Sequence, residues 1–230
     1  MLSEPRTISI LAEVVHIPAK HSFERLRELY NQVSSACGYD NCIRLPSGAR
    51  IENGQREQGE LSTITFTNDR VQMVEDCALL SVEETGKKLV EVLRSAMPTL
   101  GIPLILAQQY TIRAAVTPNN FKTASEFIGR SLFRIREEDV AVLGRPTQIF
   151  GLRLVFPATV HQLHQFNVRI ESYSKDPQSV FLENVGVFKM PPLQPQQLGA
   201  LQENMEKTSE FLAGNICKFL SQYDRREESL

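Results

Sequence analysis

Tryptophan is absent from this 230-residue chain, and only four cysteines occur in it. That is far below the density of a disulfide scaffold, so the expected state is reduced thiols and a fold held by packing alone. No stretch approaches the roughly 18 uninterrupted apolar residues of a membrane span. The opening Met1-Leu2-Ser3-Glu4-Pro5 lacks the basic and apolar character of a secretory signal, so a cytosolic setting without membrane contact is expected. Neither sign of charge prevails: Lys+Arg 25 against Asp+Glu 27 gives a net −2. That balance argues against a protein built to coat nucleic acid or anionic lipid. Local catalytic signatures are missing as well. There is no G-x-S-x-G elbow and no G-x-G-x-x-G after a strand, and Gly144-Arg-Pro lacks the spacing and the Lys-Ser/Thr of a P-loop. No cofactor is expected, and the reading leans against an enzyme.

What is present is alternation of two periods. Ser9 to Ile17 alternates apolar positions at a spacing of two and stops at Pro18, which predicts a strand. From Phe23 the apolar residues Leu26, Leu29, Tyr30 and Val33 recur at three and four, a helix ending at Cys37-Gly38. Cys42–Leu45 predicts a short strand, and Asn53 to Glu60 a polar loop expected to move. Leu61–Phe66 and Arg70–Val74, joined by Asn68-Asp69, read as a hairpin. Ser81 and Glu84 have the spacing of a capping box. The helix that follows is predicted to run to about Met97, with Pro98 and Gly101 ending it. Leu104 to Val116 is a strand, Phe121 to Ile135 a helix, and Thr147–Phe156, Phe166–Tyr173 and Val180–Phe188 three more strands, the last two joined by Asp176 to Ser179. The chain closes on a helix from Pro195 past Phe219, about 25 residues or ~37 Å long. Asp224 to Leu230 is expected to fray.

The order strand, helix, strands, helix thus occurs twice, with Pro18 and Pro118 at matching places. The fold expected is α+β: an antiparallel sheet with helices on one face, in halves 1–117 and 118–230 sharing one sheet and core. This element order resembles TATA-binding-protein-like or helix-grip proteins, in which a long C-terminal helix is gripped by a sheet. The chain also resembles, through Tyr110-Thr-Ile-Arg-Ala and Leu182-Glu-Asn-Val-Gly, a sporadically distributed family of uncharacterised bacterial proteins. Neither resemblance carries a functional residue with it.

Four groups of residues stand out as candidate sites. Arg153, Arg169, Glu171 and Tyr173, with Lys175, fall on one face of two strands, where they can meet a ligand or simply solvent. His161 and His164 with Cys37 and Cys42 supply zinc-type ligands, against the plainer reading of loop histidines and ordinary cysteines. Cys77 and Cys217 sit amid apolar residues and read as core. Phe211, Ile216, Leu220 and Tyr223 widen the apolar surface of the last helix beyond one seam, which points to a homodimer or a docked partner, or to cover by the chain's own helices. A ligand cavity under that helix is the helix-grip expectation; Phe150, Phe156, Phe181 and Phe188 filling it is the alternative. Function is therefore expected to be interaction or assembly, then small-molecule binding of cyclase or hydrolase type, then nucleic-acid association.

Overall fold

The computed structural model describes residues 2–54, 60–76, 80–189 and 191–225, apart from the Glu137 side chain. Cys77, most of the 53–60 loop and the end of the tail lie outside them. Among the described residues, nine strands form one fully antiparallel sheet in the order β2-β3-β4-β5-β1-β6-β9-β8-β7. They are β1 (Arg6–His16), β2 (Asn41–Leu45), β3 (Gly48–Glu52), β4 (Leu61–Thr67), β5 (Arg70–Asp76), β6 (Ile105–Val116), β7 (Gly151–Phe156), β8 (His164–Ser172) and β9 (Val180–Phe188). The α+β class, the antiparallel sheet and the long final helix are as the sequence implies. Among the described residues no helix is long and apolar enough to cross a membrane.

Each half arranges its strands alike. Its first strand lies at the centre of the sheet, its last strand pairs beside that one, and the rest step outward in reverse chain order. The two first strands, β1 and β6, pair along almost their whole length, from Arg6 opposite Ala115 to His16 opposite Ile105. A period of two then puts Ile10, Ala12 and Val14 beside Ile112, Tyr110 and Gln108 on the face that the helices cover.

The first half owes its two long helices to local chemistry. In α1 (Phe23–Cys37), the Ser22 side chain accepts from the Arg25 amide, and Gly38 closes the far end in the left-handed conformation at φ 70°. In α2 (Val82–Leu100), Ser81 and Glu84 form the reciprocal capping box, and Gly101 ends the helix. Of the two stops the sequence suggests, Gly101 is where the helix ends and Pro98 lies inside it. Proline removes one amide and clashes one turn back, and three residues before the C-cap that costs little enough for Gly101 to set the end instead. β3 was not foreseen at all, because Gly48-Ala-Arg-Ile-Glu52 has too short an alternation to register.

The helical regions of the second half depart from the expected α geometry. The helix predicted over Phe121 to Ile135 is a single turn, α3 (Ala124–Glu126), running into a π-helical turn (Phe127–Leu132), followed by a short α4 (Glu137–Ala141). The final helix begins with a 3-10 turn (Pro195–Gln197) and continues as α5 (Gly199–Glu210), a π-helical turn (Phe211–Ile216) and α6 (Cys217–Ser221). α5 lies close against the sheet because Gly186 on β9 has no side chain: a Cβ there would collide with Thr208 Oγ1. Gly86 on α2 serves α5 in the same way, since a Cβ would lie 2.8 Å from Gln202 Cγ.

The space under α5 is filled. Leu201, Met205, Phe166 and Phe188 are buried there, and Phe211 stacks on Phe166 with ring centroids 4.4 Å apart. Most polar groups in this layer pair with each other, though Asn184 Oδ1 has no hydrogen-bond partner among the described residues. Asn184 Nδ2 donates to the Thr208 carbonyl at 2.8 Å, while Asn204 Nδ2 and the Tyr110 hydroxyl both donate to Gln108 Oε1 at 3.1 and 2.7 Å. Of the phenylalanines the sequence reading set there, Phe188 contributes to that filling, Phe156 packs edge-on against Phe211 while staying partly exposed, and Phe150 lies elsewhere, against Gly129. Phe181 lies on the opposite face of the sheet, under the Arg169 guanidinium at 5.1 Å.

Candidate functional site

Arg153, Arg169, Glu171 and Tyr173 do share a surface, the sheet face turned away from the helices. Arg153 is the register partner of Arg169, and Tyr173 packs on Phe181 at 5.5 Å. Carboxylates are threaded through the cations. Arg169 lies 3.5 Å from Glu183 and 3.9 Å from Glu171, and Arg113 lies 2.7 Å from Glu183. Such cross-strand ion pairs offset much of the positive charge on this face.

The zinc-type quartet does not assemble. Cys37 and Cys42 belong to α1 and β2 at one end of the sheet, whereas His164 is on β8 and His161 just before it, seven strand positions away. Among the described residues no group of three His, Cys, Asp or Glu can hold a metal. The thiols are also poorly disposed to ligate. Burial, helped by Glu91, raises the Cys37 thiol to about 11, and burial raises that of Cys42. Cys217 is a buried core residue, and burial raises its thiol to about 11.

The residues proposed as an interface are largely inside the chain. Ile216 and Leu220 are buried, and Phe211 and Tyr223 are partly buried against the core. Cover by the chain itself, the other reading of this stripe, accounts for Ile216 and Leu220, and the π-helical turn shows how. The Cys217 amide reaches back five residues to the Leu212 carbonyl, and this widened turn keeps Leu212, Ile216 and Leu220, spaced by four, on one inward face. Asp224 is not frayed either. Its carboxylate accepts from the amides of Asn119 and Asn120 at 3.1 and 3.0 Å, and the Ser131 hydroxyl donates to the Tyr223 carbonyl at 2.6 Å.

The concave site that the sequence did not disclose lies in the second half, where α3, the π-helical turn, α4 and the 144–150 segment enclose a groove of about 830 Å3. Ile135, Val140, Ala141, Pro146 and Phe150 give it apolar walls; Lys122, Arg130, Arg136 and Arg145 line it together with the Glu126 carboxylate, and Glu138 and Asp139 on α4 pair with Arg136. Phe150 lies against Gly129, where a Cβ would be 3.5 Å from its ring. Beside the groove, Arg134 is the sole non-glycine at positive φ among the described residues, at 54°. Together with the π-helical turn, where the Phe133 amide bonds the Ile128 carbonyl at 2.9 Å, it gives this segment an irregular backbone.

Exposed apolar side chains cluster in the same region. Among the described residues, all the large ones except Ile17 and Leu106 lie between Phe133 and Leu163, with Val142 83% and Val160 86% exposed. They flank β7, which is also an edge strand exposing Val155 and Phe156.

No family model matches the chain, and no curated protein matches it. A solved structure that aligns along most of its length, the S. pombe Pct1 RNA triphosphatase in complex with the Spt5 CTD, is 9% identical over 96% of this chain and 86% of that chain, with a TM-score of 0.13. A superposition that poor carries no argument about fold or function.

Proposed function

We propose that the protein is an interaction module whose working surface is the second half, from the groove along the β7 edge to the loop before β8. The observation that carries this reading is the concentration of exposed apolar side chains between Phe133 and Leu163. So many exposed large apolar side chains in one stretch of chain are a common mark of an interaction surface, and an uncovered edge strand is a ready site for another chain. The first half shows the contrast, since its helices and core absorb nearly all its large apolar residues.

Two narrower readings belong to the same proposal. The halves are copies of one strand-helix-meander-helix unit, which the shared outward strand order supports. A homodimer, if it forms, uses β7 and the apolar loop that follows it, not Ile216 or Leu220, which the chain itself buries. Site-specific photo-crosslinking in cells tests the proposal. Benzoylphenylalanine at Val142 or Val160 is expected to give discrete adducts, and at exposed Arg27 on α1 none. Adducts from Arg27 as abundant as those from the second half, or none from Val142 and Val160, would overturn it.

A further inference from the structure

We infer that the groove between the π-helical turn, α4 and the 144–150 segment binds an acidic segment of another protein that carries apolar side chains. This rests on the proposal that the second half is the working surface, and adds the chemistry of what docks there. The groove offers both halves of such a recognition. Ile135, Val140, Pro146 and Phe150 give apolar walls, and the charge along them is positive. Part of that charge is already answered within the chain: Arg130 pairs with Glu126 at 3.1 Å, and Arg136 with Glu138 at 2.6 Å and Asp139 at 3.1 Å. Lys122 and Arg145 are exposed, and among the described residues no carboxylate stands within ion-pair distance of either. Charge complementarity therefore falls on these two, and it selects an anionic occupant.

Shape selects a chain segment over a compact ligand. The groove is an open trough, and the residues that follow its wall in sequence, Val142 and Leu143, are exposed apolar side chains with nothing over them in the fold. A small molecule enclosed in a pocket leaves such neighbours bare; a peptide with alternating acidic and apolar faces covers them while its carboxylates meet Lys122 and Arg145. The occupied surface is held by backbone the fold has fixed in an uncommon shape, with Arg134 at φ 54° between the π-helical turn and α4.

The test is fluorescence anisotropy with a labelled 14-residue peptide of glutamate and leucine, leucines at helical spacing, against the same peptide with glutamine for glutamate. The full chain is expected to bind the glutamate peptide saturably and at least tenfold more tightly than the glutamine one. Affinity should fall as salt rises from 50 to 200 mM, because the decisive charges are exposed. Lys122→Glu with Arg145→Glu is expected to weaken binding at least tenfold with an unchanged melting temperature, since both side chains are exposed, while Arg27→Glu on α1 changes nothing. Hydrogen exchange should slow over residues 122–147 when peptide is bound. Equal binding of the glutamine peptide, or full binding by the double variant, overturns the inference. Complete competition by inorganic pyrophosphate at the peptide's own concentration also overturns it, marking a small-anion site. Crosslinks from Val142 in cells without peptide binding would leave the working surface standing and remove only its acidic partner.

Discussion

The halves share a strand order but not a finish. In the first, four outward-stepping strands are covered by two capped helices, and charge that enters the interior is paired: Lys88 Nζ donates to Glu75 at 2.9 Å and to Ser62 Oγ at 2.6 Å, under the Tyr39 ring. In the second, three strands step outward, and where the first half has α1 there is one α-turn, a π-helical turn and the five residues of α4. A helix of fifteen residues can bury a stripe over several strands, as α1 does with Leu26, Leu29 and Val33. The broken segment cannot, and what it leaves uncovered is the groove and the apolar edge. On the function proposed above, one topology serves as scaffold in one half and as presented surface in the other.

The sharpest break of this comparison is at the seam. Tyr110 is wholly buried on β6 and holds Gln108, which Asn204 also meets. Tyr110→Ala should cost about 3–5 kcal/mol, and both halves should melt together in a urea titration followed by circular dichroism and hydrogen exchange. Separate transitions would mean the halves are less fused than the continuous sheet implies. Lys88→Met in the first half should also cost about 3–5 kcal/mol by stranding the Glu75 carboxylate, with much of it recovered in Lys88→Met with Glu75→Leu. Gly186→Ala, which pushes α5 from the sheet, should cost about 1–3 kcal/mol. Denaturant midpoints measure both.

A smaller effect is expected from acid. Desolvation, then His16 and Arg25, hold the His21 imidazole below its ordinary value, and burial, then Lys207, does the same to His164 on β8. Because the folded chain takes up these protons less readily than the unfolded chain, stability is present above about pH 6.5 and is lost as pH falls through the folded values. Urea midpoints should therefore decline between pH 7 and 5, less steeply in His21→Gln. An unchanged slope in that variant would place the acid sensitivity elsewhere.

How much of this was legible in the sequence follows the same divide. Ser81 with Glu84, the Asn68-Asp69 turn and the alternation of β1 are local signals, and local signals survive folding. The 3–4 spacing from Phe121 to Ile135 also fits a π-helical turn, because one inserted residue rotates the face without removing its apolar positions. The same ambiguity in Phe211 to Leu220 left cover by the chain and cover by a partner both open in the sequence. The groove was invisible for a different reason. Its cations come from separate turns, and Val140, Pro146 and Phe150 have no common period, so only the fold brings them together.

Carbene footprinting of the protein in cells against the purified protein addresses the division of labour most directly. Val142, Leu143, Val155, Val160 and Leu163 are predicted to be labelled strongly when pure and protected in cells, with Ile17 and Leu106 labelled equally in both. Equal labelling of the second-half residues in both conditions, or protection appearing first on Ile17, would contradict the account.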